Sequence, residues 1–329
     1  KNVVDSEFLM KQLEANGMHV IYDSGPDKAK TVIINTCGFI KDAKQESIDT
    51  ILQFVKAKQE GHIKQLFVMG CLSEKFKDEL KANIQGVDRY FGTDDFRSIL
   101  STVGVDYKKE LLGERLLTTP AHYAYFKISE GCDRTCSFCA IPLMRGKHKS
   151  KPVESLVAEA KSLVTKGVKE LILIAQDLTY YGIDLYGKQK LADLLKYLSD
   201  VKGIEWIRMH YAYPASFPLD IIEVMKERNN ICRYLDIPFQ HINDGILKAM
   251  KRGVDKSQIY ELLSHLRTEI PGIALRTSLM TGFPGEGKKE FEELREFVLE
   301  TKFDRLGVFT YSEEDDTWSA GNLEDTMRF

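Results

Sequence analysis

The segment Ile128-Ser-Glu-Gly-Cys132-Asp-Arg-Thr-Cys136-Ser-Phe-Cys139-Ala-Ile-Pro142 sets three cysteines at the spacing C-x3-C-x2-C, directly after a strand-like run at 123–129. A loop of this size wraps one iron–sulfur cube, and thiolates are the soft donors such a cube takes. Three thiolates hold three irons. A four-iron cluster bound this way keeps one iron open to a small molecule, which makes it a reaction centre rather than an electron relay. The competing reading is structural zinc. Zinc ordinarily asks for four ligands, as two cysteine pairs or a pair with two histidines. His148 is the one nearby side chain that could be the fourth.

Downstream of this loop the pattern alternates strand and helix. A helix is expected at 152–166, opened by proline and stopped by Gly167. Strands are expected at 170–175, 206–211, 234–238, 273–280 and 305–311, with helices between them. With the run at 123–129 that makes six strands of the βα type, too few to close an eight-stranded barrel. The pattern predicts an open, partial (β/α)6 TIM-like barrel with its site at the carboxyl ends of the strands. Polar groups recur at those ends: Gln176, Asp177, Arg208, His210, Gln240, His241 and Arg276. The turn Gly282-Phe283-Pro284-Gly285 suits close backbone approach to a flat ligand such as adenine. Any one of these residues could be a satisfied buried polar group. Together they read as a pocket lining. Cys232 has no partner by spacing and reads as structural.

Upstream, a helix through Val4, Phe8 and Leu13 ends at Gly17, and 18–22 reads as a short strand. The β-branched run 31–35 leads into Cys37-Gly38, and the run 66–69 leads into Gly70-Cys71. Helices at 41–60, 73–82 and 95–100 and a strand at 90–91 complete an α/β pattern, which predicts a Rossmann-like parallel sheet covered on both faces. Ligands bind such sheets just past the carboxyl ends of the strands. Cys37 and Cys71 occupy equivalent places there, so they read as part of a second metal site, whose third ligand is expected before Lys1. The expected organisation is an amino-terminal domain at 1–104, a linker at 105–120, a second domain at 121–320 and a tail at 321–329.

The 329 residues suit about two domains. At 43% apolar and 29% charged, the composition is that of a globular protein. Six cysteines are too few for a disulfide scaffold, and their clustering points to metal in a reducing compartment. No apolar run approaches a membrane span and no secretory leader is visible, so a cytoplasmic protein is expected. A net charge of −3 argues against a broad nucleic-acid surface. Lys127, Arg134, Arg145, Lys147, Lys149 and Lys151 form a local basic stretch, read either as a solvated face or as a rim that attracts an acidic partner such as a ribosome surface.

The triad with Ala140-Ile-Pro142, the phrases Asn35-Thr-Cys-Gly-Phe39 and Gly70-Cys71, and the downstream Tyr234-Leu-Asp-Ile-Pro-Phe-Gln-His241 together resemble the methylthiotransferase family of radical S-adenosylmethionine (SAM) enzymes. Within it, these phrases and His210-Tyr-Ala-Tyr-Pro214 look most like the branch that modifies an aspartate of the twelfth small-subunit ribosomal protein. The resemblance implies two [4Fe-4S] clusters, one on Cys132, Cys136 and Cys139, the other on Cys37, Cys71 and a cysteine absent here. With SAM as the cofactor, the pocket-lining residues Gln176, Arg208, Gln240, Arg276, Gly282, Phe283 and Pro284 are expected to contact it. The resemblance also implies an external electron donor, a sulfur donor and a carboxyl-terminal TRAM barrel, of which the sequence shows no trace. The chemistry it implies is radical removal of hydrogen from the aspartate β-carbon, followed by sulfur insertion and methyl transfer. The alternatives are methylthiolation of a tRNA adenosine and a non-catalytic iron–sulfur carrier or scaffold.

Overall fold

The computed structural model describes residues 1–25, 28–111 and 113–322. Of the expected tail at 321–329, all but the first two residues lie outside the described residues. The backbone divides into two compact units. One is Lys1–Thr119 with Leu143–Gly146; the other is Pro120–Pro142 with the chain from Lys147 onward.

The amino-terminal unit is built on a parallel sheet of β1 (Thr31–Thr36), β2 (Gln65–Gly70) and β3 (Arg89–Tyr90), in that order. Because side chains alternate along a strand, β2 feeds two cores. Leu66 and Val68 meet Ile34 and the helix Lys41–Gln59 through Ile51 and Val55. Phe67 and Met69 meet Leu9 and Leu13 of the helix Asn2–Ala15. Each such burial contributes about 1.5–3 kcal/mol.

Two expectations fail here. Residues 18–22 form no strand; Met18, Ile21 and Tyr22 stay exposed, because no neighbouring strand or helix face covers them. The segment after residue 104 is not a free linker. It folds back onto the helix Asn2–Ala15, whose buried side carries Glu7 and Gln12, and both need partners. Glu7 accepts from Arg115 Nη1 at 2.9 Å and from the Thr118 backbone N–H at 2.8 Å. Gln12 exchanges two hydrogen bonds with the Lys108 backbone, at 3.0 and 2.9 Å.

The second unit holds six parallel strands: β4 (Tyr123–Lys127), β7 (Glu170–Ile174), β8 (Trp206–Met209), β9 (Ile231–Asp236), β10 (Ala274–Thr281) and β11 (Arg305–Thr310). They lie side by side in chain order, which is the expected open barrel. A small antiparallel pair, β5 (Ser129–Glu130) and β6 (Lys149–Ser150), brackets the cysteine loop. The helix-covered face of the sheet is apolar, with Leu171, Leu173, Ile207, Met209 and Leu235 buried. The opposite face alternates with it and carries half-buried Tyr125, Arg208, Tyr234 and Arg276. Strand β9 starts three residues earlier than expected, since Ile231 pairs with Ile207 of β8, and so Cys232 lies inside the strand.

Candidate active site

The cysteine loop is clamped at its base. Ser129 and Glu130 pair with Ser150 and Lys149, and the Lys151 N–H reaches the Ile128 carbonyl at 2.9 Å. Within the loop, the Cys139 N–H donates to the Cys136 carbonyl at 3.2 Å, a turn that draws these two residues together. The Ser137 N–H donates to the Met250 carbonyl at 3.1 Å, and the Ser137 carbonyl accepts from Ser319 at 2.8 Å. Phe138 sets its ring edge-on to Phe283, 6.3 Å between centroids.

All six cysteines are free thiols. Burial pushes the Cys132 thiol up to about 11, partly offset by the Arg134 N–H at its sulfur and reinforced by the neighbouring Asp177 and Cys136 charges. Burial pushes Cys139 up to about 12, with Cys136 and Cys132 adding to the rise. The three sulfurs therefore feel one another. Ligation must displace their protons, so cluster assembly here releases acid. Among the described residues, no three His, Cys, Asp or Glu side chains converge tightly enough for a single metal ion. His148, the candidate fourth zinc ligand, commits its Nε2 to Ser150 Oγ at 3.0 Å and stacks edge-on to Tyr180. A soft, three-thiolate set held in a wider loop fits a cube better than zinc.

Cationic groups face the sulfurs. Arg252 donates from Nη1 to Cys136 Sγ at 3.2 Å, and the Tyr213 hydroxyl lies 3.4 Å from the same sulfur while donating to the Arg252 carbonyl at 2.8 Å. The Tyr213 ring is sandwiched between the Arg134 and Arg252 guanidiniums, at 4.2 and 4.3 Å. Arg134 is held in turn by Asp177, Nε to Oδ2 at 2.8 Å. A cluster on three thiolates carries negative charge, and this Arg–Tyr–Arg stack supplies the opposite sign in a half-buried setting. The sequence marks Tyr213 only as part of the phrase His210-Tyr-Ala-Tyr-Pro214 and assigns neither it nor Arg252 a role, because the stack forms only when separate loops meet.

The expected SAM contacts have separate surroundings. Gln176 hydrogen-bonds Glu130 at the mouth of the cysteine loop. Arg276 donates to Asp236 Oδ2 at 2.7 Å, and His210 Nδ1 lies 3.7 Å from the same oxygen. Burial lowers the His210 pKa, against the pull of Asp236. Arg208 stands apart from these, paired with Glu170 at 2.7 Å and lying over the Tyr234 ring. Gln240 follows β9 with φ of 73°, as Tyr211 follows β8 with φ of 69°. Strained backbone of this kind costs about 1–3 kcal/mol and gathers at functional rims. The turn at 282–284 departs from expectation. The Gly282 and Phe283 N–H groups are both taken by the Glu286 carboxylate, and Phe283 is 1% exposed, its ring turned into the core against Met250 and Tyr311. Phe283 is a packing residue.

The amino-terminal unit holds the second pair. Thr36 and Gly70 are register partners in β1 and β2, so Cys37 and Cys71 follow side by side. The approach is close enough to require glycine twice. A Cβ on Gly70 would sit 2.4 Å from the Thr36 carbonyl, and one on Gly38 would sit 2.8 Å from Leu72 Cα. Cys71 Sγ accepts from Arg145 Nε at 3.1 Å. The described residues thus place two cysteines just past neighbouring strand ends, with a cation on the Cys71 sulfur; a cube needs at least one further donor.

The basic stretch does not form a rim. Arg145 is buried, Arg134 is in its stack, Lys127 pairs with Glu130 at 2.7 Å, and Lys151 pairs with Glu159 at 3.0 Å. Lys147 and Lys149 alone are exposed. Among the described residues no helix is long and apolar enough to cross a membrane.

Comparison with known proteins agrees with this geometry. Residues 126–298 match the radical SAM superfamily, and residues 1–92 match an uncharacterized protein family, UPF0004. The chain is 56% identical to the ribosomal protein uS12 methylthiotransferase RimO of Cytophaga hutchinsonii, covering 99% of this chain and 75% of that one. It is 54% identical to the protein of the same name from Bacteroides fragilis, covering 99% and 76%. Among solved structures it resembles the radical SAM methyltransferase TsrM from Kitasatospora setae, with a TM-score of 0.69 and 14% identity over 97% of this chain and 73% of that one. The cobalamin-dependent radical enzyme OxsB gives a TM-score of 0.59 at 12% identity, covering 96% and 48%. These two likenesses speak to the fold. The relatives speak to the family: this chain belongs to the radical SAM superfamily and, within it, to the RimO family of methylthiotransferases.

Proposed function

We propose that the protein is a radical SAM enzyme that adds a methylthio group to an aspartate β-carbon of ribosomal protein uS12, using SAM and two [4Fe-4S] clusters. The observation that carries this is the three-thiol loop at the carboxyl end of an open six-stranded barrel, joined to relatives of that name at 54–56% identity. Cys132, Cys136 and Cys139 would hold the catalytic cluster. Cys37 and Cys71 would hold part of the auxiliary one. A cluster held in the loop would supply the one-electron reducing chemistry on SAM that hydrogen removal from an unactivated carbon requires.

The chain's own residues do the rest. The β5–β6 clamp and the Phe138–Phe283 contact hold the loop's shape. Arg252 and Arg134 balance its charge. Gln176 and Gln240, past the strand ends, and Arg276, within β10, are the polar groups proposed to orient SAM, with Glu130, Asp236 and the β10 main chain fixing them. Arg208, one pleat deeper beside Glu170, fits the floor of the pocket better than a SAM contact. An external reductant, a sulfur donor and a cytoplasmic setting complete the reading.

The test is anaerobic reconstitution with iron and sulfide, followed by incubation with SAM, reductant and either uS12 or tRNA. A methylthio mass gain on the uS12 aspartate is expected, and gain on tRNA alone would overturn the substrate. Cys136→Ala should abolish SAM cleavage. Cys37→Ala should spare SAM cleavage and stop methylthio transfer.

A further inference from the structure

The segment that follows the cysteine triad contributes four residues, Leu143–Gly146, to the amino-terminal unit. Its Arg145 is a buried, closely held cation of that unit. The side chain is 3% exposed, and each nitrogen of the guanidinium has a partner. Nε donates to Cys71 Sγ at 3.1 Å, Nη1 to Asp5 Oδ2 at 2.8 Å and Nη2 to Asn2 Oδ1 at 2.5 Å. Asn2 is tied to the same strand end, its Nδ2 on the Thr36 carbonyl at 3.0 Å, one residue before Cys37. A buried guanidinium paired only with a carboxylate would be a structural pin. This one also turns a nitrogen onto a sulfur.

We propose that Arg145 is a positioning residue of the Cys37/Cys71 site that sets the reduction potential of the cluster held there. The inference rests on the auxiliary-cluster reading given above. Donors to cluster sulfurs, and positive charge beside them, favour the more reduced and more negative state and raise the potential. Asp5 works against this, since its carboxylate compensates the same guanidinium. The two residues therefore predict shifts of opposite sign. A purely structural pin would move the cluster content alone, and in the same direction for both.

The experiment uses the full chain carrying Cys132→Ala, Cys136→Ala and Cys139→Ala, so that the Cys37/Cys71 site alone can load. Iron and sulfide per chain are measured after reconstitution, and the midpoint potential is read by redox titration with EPR detection. Arg145→Gln is expected to lower the potential and Asp5→Asn to raise it, while Arg145→Lys stays near the parent. Equal potentials in Arg145→Gln and the parent at matched iron content would overturn the proposal. So would a downward shift in Asp5→Asn. An Arg145→Gln chain that takes up no iron while Arg145→Lys loads at the parent's potential supports the positioning role. A parent chain that takes up no iron, or one whose iron survives Cys71→Ala, removes the auxiliary-site reading itself.

Discussion

Phe283→Ala separates the packing of the cysteine loop from its chemistry. The ring is 1% exposed and meets Phe138 at 6.3 Å and Tyr311 at 5.2 Å, both edge-on, with Met250 and Ile246 completing the cluster. A buried phenylalanine removes roughly 150–250 Å² from water. At about 25 cal/mol per Å² that is roughly 4–6 kcal/mol as an upper bound, part of which the remaining alanine retains. The cavity left behind brings the expected loss to about 4 kcal/mol, within the range for Phe→Ala in cores. Such a loss is tolerable for a domain stable by about 5–15 kcal/mol. The control is Phe297→Ala. Phe297 is also 1% exposed and also ring-packed, against Phe239, Tyr260 and Phe303, all outside the triad loop. Urea unfolding of the iron-free proteins should show similar losses for the two variants. Iron retention and SAM cleavage after reconstitution should fall much further in Phe283→Ala, because Phe138 lies between Cys136 and Cys139 and loses its stop. Equal iron retention in the two variants would refute the argument that Phe283 holds the loop.

Glu7→Ala should destabilise the amino-terminal unit by about 3–5 kcal/mol, the cost of stranding a buried cation, since Glu7 and Arg115 are each 2% exposed and 2.9 Å apart; urea unfolding of the variant checks it. Acidification should weaken the barrel unit. Burial holds His148 and His210 below the ordinary value of 6.5, so the unfolded chain takes up their protons first. That contribution is whole above 6.5 and is lost as pH falls below it toward the folded values. A melting series between about pH 8 and about pH 5 should show the decline, and His210→Gln should flatten part of it. Asp177→Asn should loosen the Arg134–Tyr213–Arg252 stack and speed iron loss to a chelator, with the decay followed by cluster absorbance.

What the sequence made legible was what is periodic or local. The β-branched runs at 31–35 and 170–175 became strands because apolar alternation marks a covered sheet wherever it falls. Cysteines three and four residues apart share a loop whatever the rest of the chain does. Strand ends could likewise be placed to within a few residues, so Gln176 and Gln240 fall just past β7 and β9. Phe283 was misread because a Gly-Pro turn shows that a backbone bends and says nothing about which way the intervening ring points. The answer came from Glu286, three residues on, whose carboxylate takes the N–H groups and leaves the ring to the core. The supposed basic rim failed for a related reason. Charge runs look solvated on paper, yet Arg134 and Arg145 each have a carboxylate from distant sequence, Asp177 and Asp5, 43 and 140 residues away.

Those two arginines and Arg252 point to a common requirement. A thiolate in a half-buried loop is costly without a cation, and a lone cation there is just as costly. Metal binding does not remove the problem, since three thiolates around a cube leave the site negative. Both cysteine sites meet it the same way, with a guanidinium that gives one nitrogen to sulfur and at least one other to a fixed oxygen. For Arg252 these are Cys136 Sγ and the Pro238 carbonyl; for Arg145 they are Cys71 Sγ, Asp5 and Asn2. The difference between them is the carboxylate. Arg145 carries its own counter-charge and Arg252 has the Tyr213 ring instead, so Arg252 brings more uncompensated positive charge to its sulfur. On that ground the triad cluster should sit at the higher potential of the two when neither binds a further ligand, and the ordering should narrow in Arg252→Gln. A titration resolving both clusters in the intact protein, with the triad cluster more negative and unmoved by Arg252→Gln, would show that neighbouring guanidiniums do not set the order.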